Sequence, residues 1–143
     1  MKVKFKRLSP LAKLPSRQHA YDAGYDVISI EEKVIPAGKW ALVRTGLAVE
    51  LPEEMELQVR SRSGLALKQG VFCLNAPGTV DAGYRNEIGV ILANLGDSDF
   101  FIHPGDRIAQ FIFQTPKHPD ILEVEELSKS DRGLGGFGST GLK

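Results

Sequence analysis

The chain has 143 residues, which is the size of a single domain. Its 18 basic and 18 acidic residues give a formal net charge of zero, which argues against bulk electrostatic binding to nucleic acid or to a membrane surface. The single cysteine, Cys73, lies between Phe72 and Leu74, so we expect a buried thiol rather than a disulfide or a catalytic group. No apolar run is long enough to span a membrane, and we expect a cytoplasmic protein.

The first part of the chain has the pattern of short strands separated by turns. Polar and apolar side chains alternate along residues 2–6, as they do in a strand that is buried on one face. Pro10 and Pro15 predict an irregular segment over residues 8–18. The predicted strands are residues 2–6, 27–30, 40–51 with a break near Gly46, and 55–60.

Residues 61–70 interrupt this pattern and predict a short helix. Residues 65–69 are good helix formers, Gly70 closes the run, and a serine lies near the N-cap. Because the first N–H groups of a helix lack partners and its dipole favours an anion, Arg62 and Ser63 are candidate anion-binding residues. The alternative is a capped helix with a solvated arginine.

The segment from residue 74 to residue 87 predicts a strand, a hairpin tip and the start of the return strand, with residues 71–74 and 87–94 as the two arms. It contains an amide (Asn75), a carboxylate (Asp81) and an aromatic hydroxyl (Tyr84), followed by Arg85. These side chains predict a ligand site, although Asp, Asn and Gly are also ordinary turn residues.

The second half predicts further strands at residues 100–102, 107–113 and 121–124. Gln110 lies among apolar neighbours, where a polar amide either pairs in the core or faces a site. Many short strands, frequent turns and one candidate helix predict an all-β sandwich or a jelly-roll-like barrel.

The C-terminal residues 128–143 have a different composition, with five glycines between positions 133 and 141. Such a segment is costly to order, and we expect a flexible arm whose N–H groups could surround a phosphate. Arg132, Ser139 and Thr140 add side-chain donors, and Phe137 is an apolar ring on which a base could stack. The alternative is a disordered tail of chance composition.

The candidate chemistry is that of a nucleoside polyphosphate site. His19, His103 and His118 are scattered and predict no metal centre, and no Ser-His-Asp arrangement is indicated. A short helix and a glycine-rich arm could bind phosphates, a hairpin edge could hold a base, and one carboxylate could activate water.

Five motifs then match a known family in its order and over nearly the whole chain. They are Ala23-Gly24-Tyr25-Asp26, Arg62-Ser63-Gly64-Leu65-Ala66, Asn75 through Tyr84, Gly105-Asp106-Arg107-Ile108-Ala109-Gln110, and Arg132 through Gly141. By these motifs the chain resembles dUTP diphosphatase (dUTPase). The resemblance implies an all-β, jelly-roll-like distorted barrel of the β-clip type with one short helix. It also implies a catalytic domain over residues 1–127, a flexible C-terminal arm over residues 128–143, and a homotrimer whose three active sites each draw on all three chains.

The resemblance also implies hydrolysis of dUTP to dUMP and pyrophosphate with Mg²⁺. Asp81 resembles the base that activates the attacking water, and Tyr84 resembles the ring packed under deoxyribose. Uracil would be read by Asn75 and by backbone groups near Thr79, Val80 and Gly89. Arg62, Ser63, Gly64 and Gln110 resemble α- and β-phosphate ligands, with Ser63 and Gln110 joining Asp81 in the catalytic set. Asp26 resembles the carboxylate that holds water on Mg²⁺. Arg132, Gly138, Ser139 and Thr140 resemble the γ-phosphate clamp, with Phe137 stacking over uracil.

Four positions differ from residues that are frequent in that family: Ser61, Gly83, Asn86 and Leu134. None of them removes a proposed catalytic group, but Asn86 could alter the hairpin tip and Leu134 could change how the arm docks. Three rival functions remain: a dCTP deaminase, which has different chemistry on a similar fold, a bifunctional nucleotide enzyme, and a non-catalytic trimer that senses nucleotides.

Overall fold

The computed structural model describes residues 2–137, and short strands make up nearly all of its regular structure. The strands are β1 (Lys4–Arg7), β2 (Tyr25–Ile28), β3 (Lys33–Ile35), β4 (Trp40–Arg44), β5 (Leu47–Glu50), β6 (Glu56–Arg60), β7 (Val71–Cys73), β8 (Gly78–Val80), β9 (Gly89–Asn94), β10 (Phe100–Ile102) and β11 (Arg107–Gln114). Within the described range one helix, α1 (Ser63–Gln69), lies between β6 and β7.

The described strands form four antiparallel sheets that share one core. The sheets have the orders β2-β11-β6-β8, β4-β9-β7, β1-β5 and β10-β3. Alternation places Leu57 and Val59 of β6 in the core, with Gln58 between them only half-buried. Fully buried side chains from all four sheets meet there: Val27, Ile35, Val43, Leu47, Leu57, Val90, Ile102 and Phe111. The predicted all-β, jelly-roll-like fold with one short helix is therefore confirmed.

Most predicted strands are present with small shifts in their bounds, and the break near Gly46 separates β4 from β5. The prediction of a strand at residues 121–124 is wrong, because that segment leaves the body with Ile121 93% exposed and no strand of the described chain beside it. The short strand β3 was not predicted. It is held by its pairing with β10, which cannot be read from three residues alone.

Residues 71–94 do not form the simple hairpin that the sequence predicts. β7 and β9 do pair with each other, but β8 leaves their sheet and pairs with β6 in the four-stranded sheet. The connection therefore bridges two sheets, and residues 81–88, which we call the Asp81 loop, follow β8 as it returns to β9.

The helix is capped differently from the prediction. The N-cap residue is Arg62, whose backbone is extended, and no side chain caps the helix. The hydroxyl of Ser61 instead accepts a hydrogen bond from the Cys73 N–H at 2.9 Å, which joins the residue before the helix to β7. At the other end Gly70 has the predicted left-handed conformation, with φ 65°.

Candidate functional site

Asp26 of β2 is the centre of a charged network at one end of the four-stranded sheet. Its Oδ1 lies 3.2 Å from Arg62 Nε, and its Oδ2 accepts a hydrogen bond from Arg107 Nη1 at 3.1 Å. The Asp26 side chain is only 16% exposed, so both pairs are partly shielded from water. Two guanidinium groups face this one carboxylate, while Asp99 and Asp106 border the adjoining cavity.

Gln110 of β11 lies beside Asp26, because the two residues are partners in the strand register. Its Nε2 donates to the Ser61 carbonyl at 2.8 Å, which uses one of the two amide N–H groups. A β-carbon at position 24 would overlap Gln110 Oε1, so Gly24 is required for this close approach. We call Asp26, Ser61, Arg62, Arg107 and Gln110 the Asp26 cluster.

The start of α1 is adjacent to this cluster. The Arg62 Nη1 group donates to the Arg107 carbonyl at 3.0 Å, which fixes the residue that precedes the helix. The first hydrogen bond of the helix runs from the Ala66 N–H to the Arg62 carbonyl, so the preceding amides have no partner within the helix. Ser63 and Gly64 are both exposed there.

Cavities lie on both sides of the cluster. One of about 530 Å³ is bordered by Arg62, Arg107 and the side chain of Leu65. Another of about 380 Å³ is bordered by Gly24, Asp26 and Gln110. The polar groups of the cluster are therefore accessible to a ligand from two directions.

Cys73 is buried as predicted, and burial raises the pKa of its thiol to about 11. The thiolate is the reactive form, so this cysteine is unsuited to nucleophilic catalysis at neutral pH.

The segments on either side of the Asp81 loop hold four further predicted residues: Asn75, Thr79, Val80 and Gly89. The Asn75 Nδ2 group would lie 3.1 Å from a β-carbon at Gly78, so the amide faces β8. In β8, Thr79 is exposed and Val80 is buried. Gly89 opens β9, where a β-carbon would lie 2.5 Å from Leu42 Cδ1. Its backbone is therefore covered closely by β4.

The Asp81 loop carries its two predicted site residues on the surface. Asp81 and Tyr84 are both exposed. The Tyr84 N–H donates to the Asp81 carbonyl at 3.0 Å, and the Tyr84 hydroxyl donates to the Glu87 carbonyl at 2.8 Å. The Asn86 Oδ1 accepts from the Glu87 N–H at 2.8 Å, so this unusual asparagine supports the loop through its side chain.

Strand register separates the Asp81 loop from the Asp26 cluster. Val80 pairs with Leu57, so Asp81 continues toward the Glu56 level of β6, whereas Gln110 pairs with Arg60 at the opposite end. Asp81 and Gln110 are separated by four residues along the strand direction and by two strand spacings across the sheet. Their α-carbons are therefore roughly 16 Å apart. Within one chain, Asp81 and Gln110 therefore lie toward opposite ends of the four-stranded sheet.

The C-terminal segment lies apart from both groups. The Arg132 Nε donates to the Gly135 carbonyl at 2.8 Å, and the Gly133 N–H donates to the Ser130 carbonyl, so these bonds are local. Leu134 and Phe137 are fully exposed. The predicted residues Gly138, Ser139 and Thr140 lie outside the described residues.

Sequence reasoning missed the residues that support others. Arg107 and Gly24 occur within the matched motifs, but only the structure shows that one pairs with Asp26 and the other makes room for Gln110. The pair of Arg44 and Glu87 had no sequence signal, because 43 residues separate its members.

Among residues 2–137, no helix is long and apolar enough to cross a membrane. The same residues contain no group of three or more His, Cys, Asp or Glu side chains that could hold a metal ion.

Comparison with known proteins gives one consistent family. The sequence model of the dUTPase family matches residues 11–141. A protein of Alkaliphilus metalliredigens named deoxyuridine 5'-triphosphate nucleotidohydrolase is 53% identical over 141 residues, which cover 99% of this chain and 98% of that protein. A protein of Clostridium tetani with the same name is 54% identical, over 97% of this chain and 96% of that protein.

Solved structures agree with the sequence relatives. The dUTPase of Staphylococcus bacteriophage 80alpha with dUPNHPP has a TM-score of 0.90 and 31% identity, and the match covers 99% of both chains. A mutant dUTPase of the Staphylococcus aureus phage phi11, described as coordinating a structural Mg(II) ion, has a TM-score of 0.82 and 26% identity. That match covers 90% of this chain and all of the phage chain.

Proposed function

The chain is an enzyme of the dUTPase family, and from this membership and the geometry of the site we propose that it hydrolyses dUTP to dUMP and pyrophosphate. The observation that carries the proposal is the Asp26 cluster. Its two oriented guanidinium groups and its unused amide donors suit a polyphosphate, although the chain as a whole is neutral.

Arg62, Ser63, Gly64 and Gln110 are proposed to bind the α- and β-phosphates. Arg62 supplies charge, and the exposed start of α1 supplies a hydroxyl and free N–H groups. Gln110 keeps one amide N–H for a phosphate oxygen while its other N–H is held by the Ser61 carbonyl. The ligand set is thus oriented before substrate binds, which lowers the cost of binding.

Asp81 is proposed as the general base. Its carboxylate would accept a proton from water as the water oxygen bonds to the α-phosphorus. The bond from that phosphorus to the bridging oxygen then breaks, and pyrophosphate leaves. Tyr84 would pack under deoxyribose and exclude a 2′-hydroxyl. The exposed position of both residues is compatible with a substrate that approaches from outside the chain.

Uracil recognition is assigned to Asn75 and to backbone groups near Thr79, Val80 and Gly89. Asn75 precedes β8, Thr79 and Val80 belong to it, and Gly89 is the first residue of β9. The closely covered backbone at Gly89 is compatible with a narrow slot. A slot that pairs every buried polar group of uracil would reject cytosine, because mismatched donors would remain unpaired.

The donor set fits magnesium that arrives with the substrate. Asp26 Oδ2 accepts a hydrogen bond from Arg107, and Oδ1 forms an ion pair with Arg62, yet each oxygen has a further lone pair with which to hold a water molecule. Mg²⁺ commonly takes phosphate oxygens and waters as most of its ligands, and when bound it neutralises phosphate charge. Asp26 is therefore proposed to act on the metal through water.

The active site is proposed to be shared between chains of a homotrimer. The separation of roughly 16 Å between Asp81 and Gln110 supports this proposal, because a second copy must supply Asp81 to the first copy's phosphate site. A catalytic domain over residues 1–127 would then bind an arm over residues 128–143 from a neighbour. The exposure of Leu134 and Phe137 is consistent with an arm that packs elsewhere.

The arm is proposed to close over the substrate. Arg132, with Gly138, Ser139 and Thr140, would bind the γ-phosphate, and Phe137 would stack on uracil. Closure would exclude water other than the nucleophile. In the cell the reaction would lower dUTP, keep uracil out of DNA and supply dUMP for thymidylate synthesis.

A pyrophosphate-release assay tests the proposal. We expect turnover of dUTP, little turnover of dCTP, dTTP and UTP, and strong dependence on Mg²⁺. Ammonia release from dCTP would favour a deaminase instead, and binding of dUTP without turnover would favour a nucleotide sensor.

A further inference from the structure

The Asp81 loop is attached to the body chiefly near its end, at Glu87. The two Glu87 oxygens accept from Arg44: Nε lies 3.3 Å from Oε1 and 3.2 Å from Oε2, and Nη2 lies 3.1 Å from Oε2. The Gly46 N–H also donates to Oε1 at 2.8 Å. Glu87 is thus held by a bidentate arginine and a backbone amide at once.

The next residue continues the attachment. The Ile88 N–H donates to the Leu47 carbonyl at 2.7 Å, and the buried Thr45 hydroxyl donates to the Ile88 carbonyl at 2.6 Å. The turn between β4 and β5 therefore forms hydrogen bonds with two successive residues of the loop, Glu87 and Ile88. Gly46 can form this turn because its φ of 67° lies in the left-handed region.

The attachment at Glu87 is linked to the Tyr84 side chain by one hydrogen bond. Tyr84 donates its hydroxyl to the carbonyl of Glu87, the same residue whose carboxylate is bound by Arg44. Movement of Glu87 therefore moves the acceptor that orients the tyrosine ring. The Glu87 side chain is only 21% exposed, whereas Arg44 is 53% exposed, so the carboxylate is the more confined partner.

We propose that Arg44 and Glu87 are positioning residues that set the placement of the Tyr84 ring and thereby the preference for a deoxyribose over a ribose substrate. This inference rests on the proposed function, since it assigns a structural cause to the sugar selectivity of that reaction. Neither residue touches the substrate. They act by fixing the loop that does, and a small displacement of a positioning group has a large kinetic effect.

A purely stabilising role makes a different prediction. Exposed ion pairs contribute little to stability, and their loss should affect every substrate alike. A positioning role instead predicts that discrimination between dUTP and UTP changes more than the turnover of dUTP. The ratio of the two kcat/KM values is therefore the informative quantity.

The experiment compares Arg44→Gln and Glu87→Gln with the wild-type enzyme, using dUTP and UTP as substrates. We expect the dUTP/UTP selectivity to fall by about tenfold or more in both variants, and Arg44→Lys, which keeps the charge, to recover part of it. Tyr84→Phe keeps the ring but removes its bond to Glu87, and it should lose selectivity in the same direction.

Lys33→Gln is the matched control. Lys33 pairs with Glu31 at 3.0 Å and donates to the Leu42 carbonyl, and the same Glu31 Oε1 accepts from the Arg44 N–H at 3.0 Å. The variant therefore removes a neighbouring ion pair while leaving the bonds between the Arg44 and Glu87 side chains in place. We expect its selectivity to equal that of the wild type. Unchanged selectivity in Arg44→Gln, Glu87→Gln and Tyr84→Phe would overturn the proposal, as would an equal loss in Lys33→Gln.

Hydrogen exchange separates this proposal from the proposed function. Exchange in a peptide that covers residues 81–88 should be faster in Arg44→Gln than in Lys33→Gln, whether or not the enzyme hydrolyses dUTP. Absence of dUTP turnover in the wild type would refute the proposed function alone. Equal exchange in the two variants would refute the positioning role alone.

Discussion

The two ends of the four-stranded sheet hold their polar side chains in opposite ways. In the Asp26 cluster, charged and amide groups are half-buried and bind one another within one chain. In the Asp81 loop, the carboxylate and the aromatic ring face solvent, and the loop is fixed from behind by Glu87. One end is already assembled, and the other presents its groups outward.

Under the proposed function, this difference would allow the two ends to serve one reaction. A substrate with several negative charges is bound best by cations that the fold already holds in place. The free energy of orienting those cations is then spent when the protein folds and not when the substrate binds. The base and the sugar-binding ring can come from another copy if that copy presents them on its surface.

Asp81→Asn should have the largest effect. We expect a loss of turnover by about three orders of magnitude or more with dUTP binding retained, because the amide cannot accept the proton from water. Single-turnover kinetics and a direct binding measurement check the two halves of this statement. Turnover like that of the wild type would refute the assignment of the base.

Deletion of residues 132–143 should cause the second-largest loss of turnover. We expect turnover to fall by about a hundredfold or more, because the arm no longer closes over the phosphates. The body does not depend on this segment for its core, since the buried cluster ends at Phe111. Sedimentation should therefore show an unchanged oligomer. Full activity after the deletion would show that the arm is not a lid.

Asp26→Asn should have an intermediate effect and tests the assembled end. Removing the carboxylate leaves two guanidinium groups facing each other, and each lost charge-assisted bond is worth about 1.5–3 kcal/mol. We expect kcat/KM to fall roughly tenfold to a hundredfold. The matched control is Asp97→Asn in the exposed turn between β9 and β10, which should behave as the wild type. Equal effects in the two variants would contradict the role of the cluster.

Replacement of Cys73 should have the smallest effect on activity. Its burial should instead be measurable as slow alkylation of the thiol. Burial raises the pKa of its thiol to about 11 from an ordinary 9.0. At pH 8 the thiolate fraction should then be about a hundredfold lower in the folded protein than in denaturant, and alkylation correspondingly slower. Fast labelling of the folded protein would contradict the burial.

The same thiol predicts a pH dependence of stability. Its pKa is higher in the folded state, so between about pH 9 and pH 11 the folded protein retains a proton that the unfolded chain releases. The free energy of unfolding should therefore fall as pH rises through this window and be unaffected by this group below it. Replacement by Cys73→Ser should remove that part of the pH dependence.

The sequence predicts the strands well wherever alternation or apolar composition marks a local pattern. β6 is an example, because its alternating residue types indicate both the strand and its buried face. The pairing of β8 with β6 is not local and has no sequence signal, since residues 78–80 look like part of a hairpin tip. Residues 121–124 look like a strand by composition, yet the described chain has no strand edge beside them.

In the candidate site, too, the sequence identifies individual residues but not the contacts between distant parts of the chain. Residue type alone identifies four polar residues as candidates for a ligand site: Asn75, Asp81, Tyr84 and Gln110. The supporting role of Arg107 depends on a contact across 81 residues, and that of Arg44 on one across 43 residues. Such pairs arise only when strands from distant parts of the chain are brought into register, so no single sequence identifies them.

The central claim is that one copy supplies the Asp26 cluster and another supplies Asp81 to the same substrate. Co-refolding Asp81→Asn with Gln110→Ala in equal amounts tests it most directly, since each variant alone should be nearly inactive. Random mixing should restore about a quarter of the wild-type turnover, because that fraction of shared sites receives both intact halves. Turnover no greater than that of the separate variants would contradict the account.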